Sequence, residues 1–314
     1  MKKPIVVVGS INLDLVATAE RIPNVGETVS GKQFNTFFGG KGANQAVAIG
    51  RLGCAVRMLG KVGNDAFGKQ LRDALESDGV DVGAVEVAQG ASGVALISIS
   101  DHGENSIIVV PGANGTFEKG DVDRHRHLIE EAGIVLTQLE IPMEVVEHLA
   151  EITDAAHVPL MLDPAPVQPL SRELLHRLDW ITPNESEARM LLGPGANLEG
   201  ESGTLNAVQK LLGLGVRNVV LKLGKRGALV AQASGLRAWI PAFKVDALDT
   251  TAAGDAFNGG FAVGLMSGKT PEESGRFAAA AAAISVTRRG AQPSMPSFEE
   301  VEEFLRHHQS AAEA

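Results

Sequence analysis

The sequence predicts an α/β fold built on a mainly parallel β-sheet that is flanked by helices. From about residue 120 onward, short apolar strands alternate with helical segments, and glycine- or proline-rich turns follow the strands. Strand–turn–helix units in series are typical of parallel βαβ architecture. By contrast, stretches at approximately 11–18, 28–38 and 92–110 have extended character without intervening helices. These stretches predict a small antiparallel sheet beside the main core.

The composition describes an ordinary globular chain and excludes several classes of protein. The 314 residues are 44% hydrophobic and 21% charged, and the formal net charge of −10 argues against a non-specific nucleic-acid surface. The single cysteine, Cys54, cannot form an internal disulfide and suits a reducing compartment. The apolar segment after Lys3 is too short for a signal peptide, and the longest apolar run, 277–286, is about half a membrane span. We expect a cytoplasmic protein with no nucleic-acid or membrane partner.

The N-terminal segment predicts a buried strand followed by a polar face. Residues 5–8 (Ile-Val-Val-Val) form a short β-branched run that ends at Gly9. Asn12 and Asp14 alternate with apolar residues, which places both polar side chains on one face of an extended segment. This face meets either water or a polar ligand.

A glycine-rich loop surrounds Lys41 and precedes a helix predicted over 43–51. The loop is not a Walker phosphate loop, because Gly42 stands where magnesium binding needs Ser or Thr. A dinucleotide-binding fingerprint also fits poorly. The loop is therefore either a close-approach site for a ligand or a flexible start of a helix. Residues 55–89 then predict a strand, a turn and a helix over 67–76.

Four strand ends in the second half of the chain carry polar residues. The predicted strands at 134–136, 158–162, 180–181 and 219–223 lead respectively to Glu140, Asp163, the pair Asn184 and Glu187, and the turn from Gly224 to Gly227. In open parallel sheets, ligands bind beyond the carboxyl ends of the strands. The sequence thus predicts that Glu140, Asn184, Glu187 and the Gly224 turn share one edge of the sheet, and that Asp255 lies on the same edge.

The stretch from Asp249 to Gly260 predicts a tight turn of small residues that leads into a helix. The first amides of a helix lack internal partners and form an anion site. Asp255 in this turn would repel a bound phosphate, but it could accept the proton of a hydroxyl that receives a phosphoryl group. The other interpretation is that Asp255 only caps the helix. The sequence leaves both open.

The motifs together resemble those of the PfkB-type carbohydrate kinases over almost the whole chain. The segments that carry this resemblance are GSINLD at 9–14, FGGKGANQA at 38–46, TPNESEA at 182–188, DTTAAGDAFNGG at 249–260 and TRRGAQPS at 287–294. The resemblance implies a single domain over 1–314 with a three-layer α/β fold, a small β-sheet lid and a homodimer formed through the lids. It also implies ATP-dependent phosphorylation of D-ribose at the 5-hydroxyl.

The resemblance also implies roles for individual residues. Asp255 would be the general base, and the backbone amides of Ala252, Ala253, Gly254 and Asp255 would form the anion hole. The sugar site would comprise Asn12, Asp14, Gly40, Lys41, Gly42, Asn44, Glu140 and Asp255. ATP and Mg²⁺ would be placed by Asn184, Glu187, Lys222, Gly224, Gly227 and Gly254. A monovalent cation, K⁺, would be held by Asp249, Thr251, Ser285, Arg288, Gly290 and Ser294.

Some alternatives and departures remain at this stage. The chain could be a related kinase for deoxyribose, a ketohexose or a nucleoside, or a binding protein that has lost turnover. Lys222 stands where the family often has threonine, Asp163 replaces an asparagine in an NPAP-like stretch, and Ala279 stands where a polar residue often lies near the adenine. These departures concern nucleotide contacts more than the chemical step.

Overall fold

The structure, a computed structural model, describes residues 3–310, and for 309 and 310 it describes the backbone alone. The ends of the predicted 1–314 domain lie outside the described residues. In chain order the strands are β1 (Ile5–Val8), β2 (Asn12–Ala19), β3 (Gly31–Gly39), β4 (Val56–Gly63), β5 (Val80–Ala88), β6 (Gly93–Ser100), β7 (Asn105–Val110), β8 (Ile134–Gln138), β9 (Leu160–Asp163), β10 (Trp180–Ile181), β11 (Asn218–Lys222), β12 (Ala228–Gln232) and β13 (Arg237–Ile240).

The helices follow the strands in most of the chain. They are α1 (Lys41–Arg51), α2 (Ala66–Ser77), α3 (Lys119–Arg124), α4 (Arg126–Glu130), α5 (Met143–Ala155), α6 (Arg172–Arg177), α7 (Glu185–Leu192), α8 (Gly200–Gly213), α9 (Ala253–Met266), α10 (Pro271–Ser285) and α11 (Phe298–Ser310). Of the helices within residues 3–310, none is both long enough and apolar enough to cross a membrane.

The main sheet has nine strands in the order β13-β12-β11-β10-β9-β8-β1-β4-β5. The pairs from β11 to β5 are all parallel, whereas β12 and β13 pair antiparallel at one edge. The predicted fold class, a mainly parallel sheet between helices with a separate smaller sheet, is confirmed.

Burial of β1 shows how the three layers form. All four of its residues are 0% exposed. Ile5 and Val7 belong to one apolar cluster, and Val6 and Val8 belong to the other. Because successive side chains of a strand point to opposite faces, both faces of the sheet are covered. The uninterrupted β-branched run in the sequence is the signature of this double burial.

The smaller sheet has the order β3-β2-β6-β7. Strands β2 and β3 pair antiparallel, as do β6 and β7, but β2 and β6 pair parallel. The expectation of a wholly antiparallel sheet was therefore wrong for the central pair. The chain returns to the main sheet between β2 and β6, through β4 and β5, and then leaves it in the same direction a second time.

One face of this smaller sheet exposes apolar side chains. Leu96 pairs with Ile108, and Val94 pairs with Val110, so these residues share a face. Phe34 lies on the same face and is 65% exposed, and Ile108 is 61% exposed. Asp14 points to the opposite face, because its sheet neighbours are Phe37 and Ala95.

Candidate active site

The carboxyl ends of the parallel strands gather the polar residues that the sequence singled out. Asp163 is the last residue of β9, Lys222 is the last residue of β11, and Glu140 follows β8. Lys41 begins α1, and Asp255 lies in the first turn of α9. Hydrogen bonds between these elements show that they converge on one site.

Close backbone packing places the glycine-rich loop against the turn that follows β1. Gly40 has a φ of 88°, and a Cβ atom at this position would lie 2.7 Å from the backbone N of Asn12. A Cβ atom at Gly42 would lie 2.7 Å from the backbone N of Ser10. Only glycine permits this approach, which brings Lys41 and Asn44 to the same place as Asn12.

Asp255 is 4% exposed and accepts two side-chain hydrogen bonds. Asn44 Nδ2 donates to its Oδ2 atom at 3.0 Å, and Gln45 Nε2 donates to its Oδ1 atom at 3.0 Å. The N-cap of α9 is Ala252, and no side chain caps this helix end. The interpretation of Asp255 as a helix cap is therefore not supported by the structure.

The charge on Asp255 is opposed by burial and supported by a neighbouring cation. Burial raises the pKa of Asp255, and the Lys41 ammonium and the two amide donors lower it in part. Burial also disfavours the charge on Lys41, but the carboxylates of Asp255, Asp163 and Glu140 outweigh it and raise the pKa of Lys41. Lys41 therefore stays charged beside a carboxylate that holds protons more tightly than a solvated one.

Asn12, Asp14 and Glu140 form the wall of the site next to the smaller sheet. Asn12 is 3% exposed, and its Oδ1 atom accepts a hydrogen bond from Asn114 Nδ2 at 2.7 Å. Glu140 Oε2 accepts a hydrogen bond from the backbone N of Lys41 at 3.0 Å. Burial, then the charges of Glu140 and Asp255, raise the pKa of Asp14 to about 7.

Asn44 carries an unused acceptor within the described residues. Its Nδ2 atom donates to Asp255, but its buried Oδ1 atom has no hydrogen-bond partner in the described part of the chain. A buried unpaired acceptor costs free energy of about 1–3 kcal/mol. A hydroxyl group beside Asp255 would satisfy this acceptor.

The turn before α9 contains a non-glycine residue in the left-handed backbone region. Ala252 has a φ of 57° and, with His157, is one of two non-glycine residues with positive φ among those described. The amide of Ala253 donates to the carbonyl of Thr250 at 3.3 Å. Among residues 3–310, no acceptor contacts the amides of Gly254 and Asp255, so these two are open to an anion.

Asn184 and Glu187 form a reciprocal capping box at the start of α7. Asn184 Oδ1 accepts from the backbone N of Glu187 at 2.9 Å, and Glu187 Oε2 accepts from the backbone N of Asn184 at 2.7 Å. Burial raises the pKa of Glu187, and the charge of Lys222 partly offsets this increase. Gly227, at the end of the turn that follows β11, has a φ of 91°, and a Cβ there would lie 1.9 Å from the carbonyl O of Ile240.

The residues expected to hold a monovalent cation come from two segments that Asp249 joins. Asp249 Oδ1 accepts from the backbone N of Thr251, and its Oδ2 atom accepts from the backbone N of Gly290, both at 2.9 Å. Burial opposes ionisation, but these hydrogen bonds outweigh it and lower the pKa of Asp249. The Arg288 guanidinium pairs with Glu300 and has no acceptor atom, so only the backbone carbonyl of Arg288 could contact a cation.

Ser285 and Ser294 are fully buried beside this junction. Their hydroxyl groups donate to the carbonyls of Ala282 and Ala291, at 2.9 and 2.7 Å. These carbonyls are therefore committed to intrachain hydrogen bonds, whereas both hydroxyl oxygens keep lone pairs that could meet a cation. In the turn that we expect to contact the nucleotide, Gly224 is exposed and has a φ of 56°.

Several site residues were not singled out by sequence reasoning. Gln45 Nε2 donates to Asp255 and also to Asp163 Oδ2, the latter at 3.1 Å. Gln138 Nε2 supports Gln45 by donating to its Oε1 atom at 2.8 Å. Asn114 holds Asn12 in place. Gln45 lies in the quoted motif at 38–46, but its role depends on distant residues that the sequence alone does not bring together.

Comparison with known proteins identifies the family. A family model described as pfkB family carbohydrate kinase matches residues 2–297. The chain belongs to this family, and it is a phosphotransferase that uses an alcohol group as acceptor. The resemblance stated from the motifs is thereby confirmed.

Three relatives refine the family assignment. A ribokinase of Haemophilus influenzae is 41% identical over 98% of this chain and 100% of its own length. A deoxyribokinase of Salmonella typhi is 36% identical over 96% of this chain and 98% of its own length. The structure of an Arabidopsis thaliana ribokinase in complex with ribose and ATP has a TM-score of 0.92 and 38% identity, covering 98% of this chain and 99% of that one.

The raised pKa of Asp14 makes a prediction about stability. The folded state holds a proton on Asp14 up to about pH 7, whereas the unfolded state releases it near its ordinary value of 3.8. Stability is therefore lost as pH rises between these values, because ionisation of the buried carboxyl is disfavoured. We expect Asp14→Asn to remove this loss and to raise the Tm relative to the parent by at least about 2 °C more at about pH 8 than at about pH 5.

Differential scanning calorimetry at both pH values tests this expectation. The exposed Asp73 on α2 provides the matched control, and Asp73→Asn should show no such pH-dependent gain. A Tm difference between Asp14→Asn and the parent that is the same at both pH values would contradict the assignment.

Proposed function

We propose that the protein is an ATP-dependent ribokinase that transfers the γ-phosphoryl group of ATP to the 5-hydroxyl of D-ribose. Relatives named ribokinase match the chain over nearly its whole length at about two identical residues in five. The single observation that best supports the chemistry is the environment of Asp255: a buried carboxylate, oriented by two amides, in the first turn of a helix where the backbone amides of Gly254 and Asp255 have no acceptor among the described residues.

In the proposed reaction, the 5-oxygen of ribose forms a bond to the γ-phosphorus as the bond between that phosphorus and the β,γ-bridging oxygen breaks. ADP leaves with the bonding electron pair, and the hydroxyl proton goes to Asp255. The raised pKa of Asp255 favours this transfer. The amides of Gly254 and Asp255 would stabilise the charge on the transferring group, because fixed dipoles in a buried site need no reorganisation. The amides of Ala252 and Ala253 are proposed to join them, although that of Ala253 donates to the carbonyl of Thr250 in this structure.

The sugar is proposed to lie between the glycine-rich loop and the smaller sheet. A pentose presents several hydroxyl groups that need both donors and acceptors. The site offers the Lys41 ammonium as donor, the carboxylates of Asp14 and Glu140 as acceptors, and the amides of Asn12 and Asn44. Gly40 and Gly42 would contribute by letting the loop backbone approach.

ATP is proposed to lie along the edge formed by α7, the turn from Gly224 to Gly227, and the start of α9. Mg²⁺ would come with the nucleotide, shielding phosphate charge and keeping several water ligands. Asn184 and Glu187 would orient those waters. Within residues 3–310, no group of three His, Cys, Asp or Glu side chains has an arrangement that could hold a metal ion by itself.

A second candidate is phosphorylation of 2-deoxyribose, favoured by the similarity to a deoxyribokinase. ADP formation measured with ribose, deoxyribose, a ketohexose and a nucleoside decides between the candidates. We expect the highest kcat/KM for ribose. If another acceptor has a higher kcat/KM, that acceptor replaces ribose as the proposed substrate. The reaction is proposed to take place in the cytoplasm, where ATP is available.

Replacing the proposed base should abolish most of the turnover without removing the substrate. We expect Asp255→Asn to lower kcat by at least about 100-fold, since it removes the proton acceptor, while ribose still binds. Coupled ADP detection measures kcat, and calorimetric titration measures ribose binding. Asp73→Asn is the matched control. A kcat within about tenfold of the parent would refute the role of Asp255.

Potassium should accelerate the reaction relative to sodium at equal ionic strength. The proposed ion site at Asp249, Thr251, Ser285, Arg288, Gly290 and Ser294 adjoins the anion hole, so a bound ion would order the turn that carries Ala252. Asp249→Asn should reduce the difference in rate between the two salts, because it weakens the hydrogen bond from the backbone N of Gly290. Equal rates in the two salts would count against the site.

The exposed apolar face of the smaller sheet is proposed to form a homodimer and to make that sheet a lid. We expect the parent to have twice the mass of one chain and Ile108→Asp to have the mass of a single chain. Ile108 is 61% exposed in one chain, and dimerisation would bury the new aspartate charge without a partner. Light scattering after gel filtration measures both masses. Val87→Asp, at an exposed apolar position on β5, is the control that should stay dimeric. A dimeric Ile108→Asp variant would reject this interface.

A further inference from the structure

Two charged residues at the ends of neighbouring strands form an ion pair beside the proposed transfer site. Lys222 Nζ donates to Asp163 Oδ1 at 3.1 Å, and the two side chains are 12% and 5% exposed. Strand β10 lies between their strands, and residues 182–184 continue beyond it, with Asn184 bridged to Lys222, so the ion pair reaches across this segment. The pair therefore lies at the carboxyl edge of the sheet, where the ligands of such folds bind.

The carboxylate of Asp163 connects this lysine to the proposed base. Its second oxygen, Oδ2, accepts from Gln45 Nε2 at 3.1 Å, and the same nitrogen donates to Asp255 Oδ1 at 3.0 Å. Asp163 thus accepts from two donors with two different oxygens. An asparagine has one acceptor oxygen and could satisfy only one of these donors in this arrangement.

The ammonium of Lys222 also lies against the start of α9. A Cβ atom built on Gly254 would be 3.4 Å from Lys222 Nζ. The N-terminal end of a helix carries partial positive charge, so a cation there is ordinarily unfavourable. Within the described residues, Asp163 Oδ1 is the one acceptor for the three N–H donors of this ammonium. A cation with donors to spare, beside open amides of like polarity, forms a site for an anion.

We propose that the Lys222 ammonium binds the oxygens of the phosphoryl group during its transfer, and that Asp163 is the positioning residue that holds this ammonium and, through Gln45, the proposed base in register. The proposal rests on the proposed kinase function and deepens it. The bonds made and broken stay the same: the sugar oxygen binds phosphorus, ADP leaves, and the proton goes to Asp255. Lys222 contributes positive charge and hydrogen bonds to the phosphoryl group during its transfer.

The motif resemblance leads us to expect threonine at position 222 and asparagine at position 163. The two residues present instead, Lys222 and Asp163, are direct partners in the structure. A neutral threonine and asparagine could replace them together, because the asparagine oxygen could still accept from Gln45. Replacing the lysine alone would leave the Asp163 carboxylate facing the migrating phosphoryl group without a counter-charge.

Four variants test the proposal: Lys222→Thr, Asp163→Asn, the double variant, and Lys210→Thr at an exposed position on α8 as the matched control. We expect Lys222→Thr to lower kcat about 100-fold with little change in the KM for ribose, since the sugar site is untouched. The double variant should have a kcat about tenfold higher than that of Lys222→Thr, because Asp163→Asn removes the uncompensated charge. The control should match the parent.

A merely structural ion pair would give a different pattern. It would lower the Tm of both single variants and leave kcat of the folded protein near that of the parent, which would overturn the proposal. Equal kcat for Lys222→Thr and the double variant would also overturn it, because the carboxylate would then exert no effect on the transferring group.

Binding of a non-hydrolysable ATP analogue and of ADP, measured by calorimetry, adds a second readout. Lys222→Thr should weaken the binding of the analogue more than the binding of ADP, because ADP lacks the γ-phosphoryl group. Equal losses for the two nucleotides would place Lys222 elsewhere along the nucleotide and contradict the proposal. If the parent itself forms no ADP with any sugar, the kinase proposal fails, whereas a working parent with an unaffected Lys222→Thr rejects the role of Lys222 alone.

Discussion

The structure of this site depends on keeping one carboxylate, Asp255, out of water while compensating its charge. Burial raises its pKa, and a bare buried charge would be too costly to maintain. The Lys41 ammonium and the amides of Asn44 and Gln45 compensate this cost. All three come from α1, so the position of that helix against α9 decides whether the carboxylate is usable.

The close approach of the two helices explains why small residues are concentrated in these motifs. A Cβ atom at Gly259 on α9 would lie 2.7 Å from Ala48 Cβ on α1, so a larger residue would separate the helices and lengthen the hydrogen bonds to Asp255. At the start of α1, Gly40 and Gly42 likewise allow close packing, in this case against the backbone of the turn that follows β1. The positive φ of Ala252 is a local cost at the turn that carries the open amides, and strain at functional turns is a common finding.

The fold class and the positions of most polar clusters followed from local sequence patterns, because strand burial and helix starts are set by neighbouring residues. The parallel pairing of β2 with β6 was not predictable in this way, since it depends on where the chain goes between them. The same limit applies to Gln45, which joins Asp163 to Asp255 across more than a hundred residues of sequence. Asn184 with Glu187 shows the opposite case: the short spacing defines a capping box, and any role towards phosphate and magnesium is additional.

The balance of charge in the site constrains how a nucleotide can enter it. Five carboxyl groups converge there with two ammonium groups; they are Asp14, Glu140, Asp163, Glu187 and Asp255, with Lys41 and Lys222. An excess of negative charge in a poorly solvated space repels free phosphate chains. Under the proposed function, a nucleotide would arrive with its charge partly neutralised, as in a magnesium complex, and its terminal phosphate would meet the amides of α9 that have no acceptor within the described residues. The pKa of about 7 for Asp14 reduces the same repulsion, because a proton remains on this carboxyl for much of the time near neutral pH.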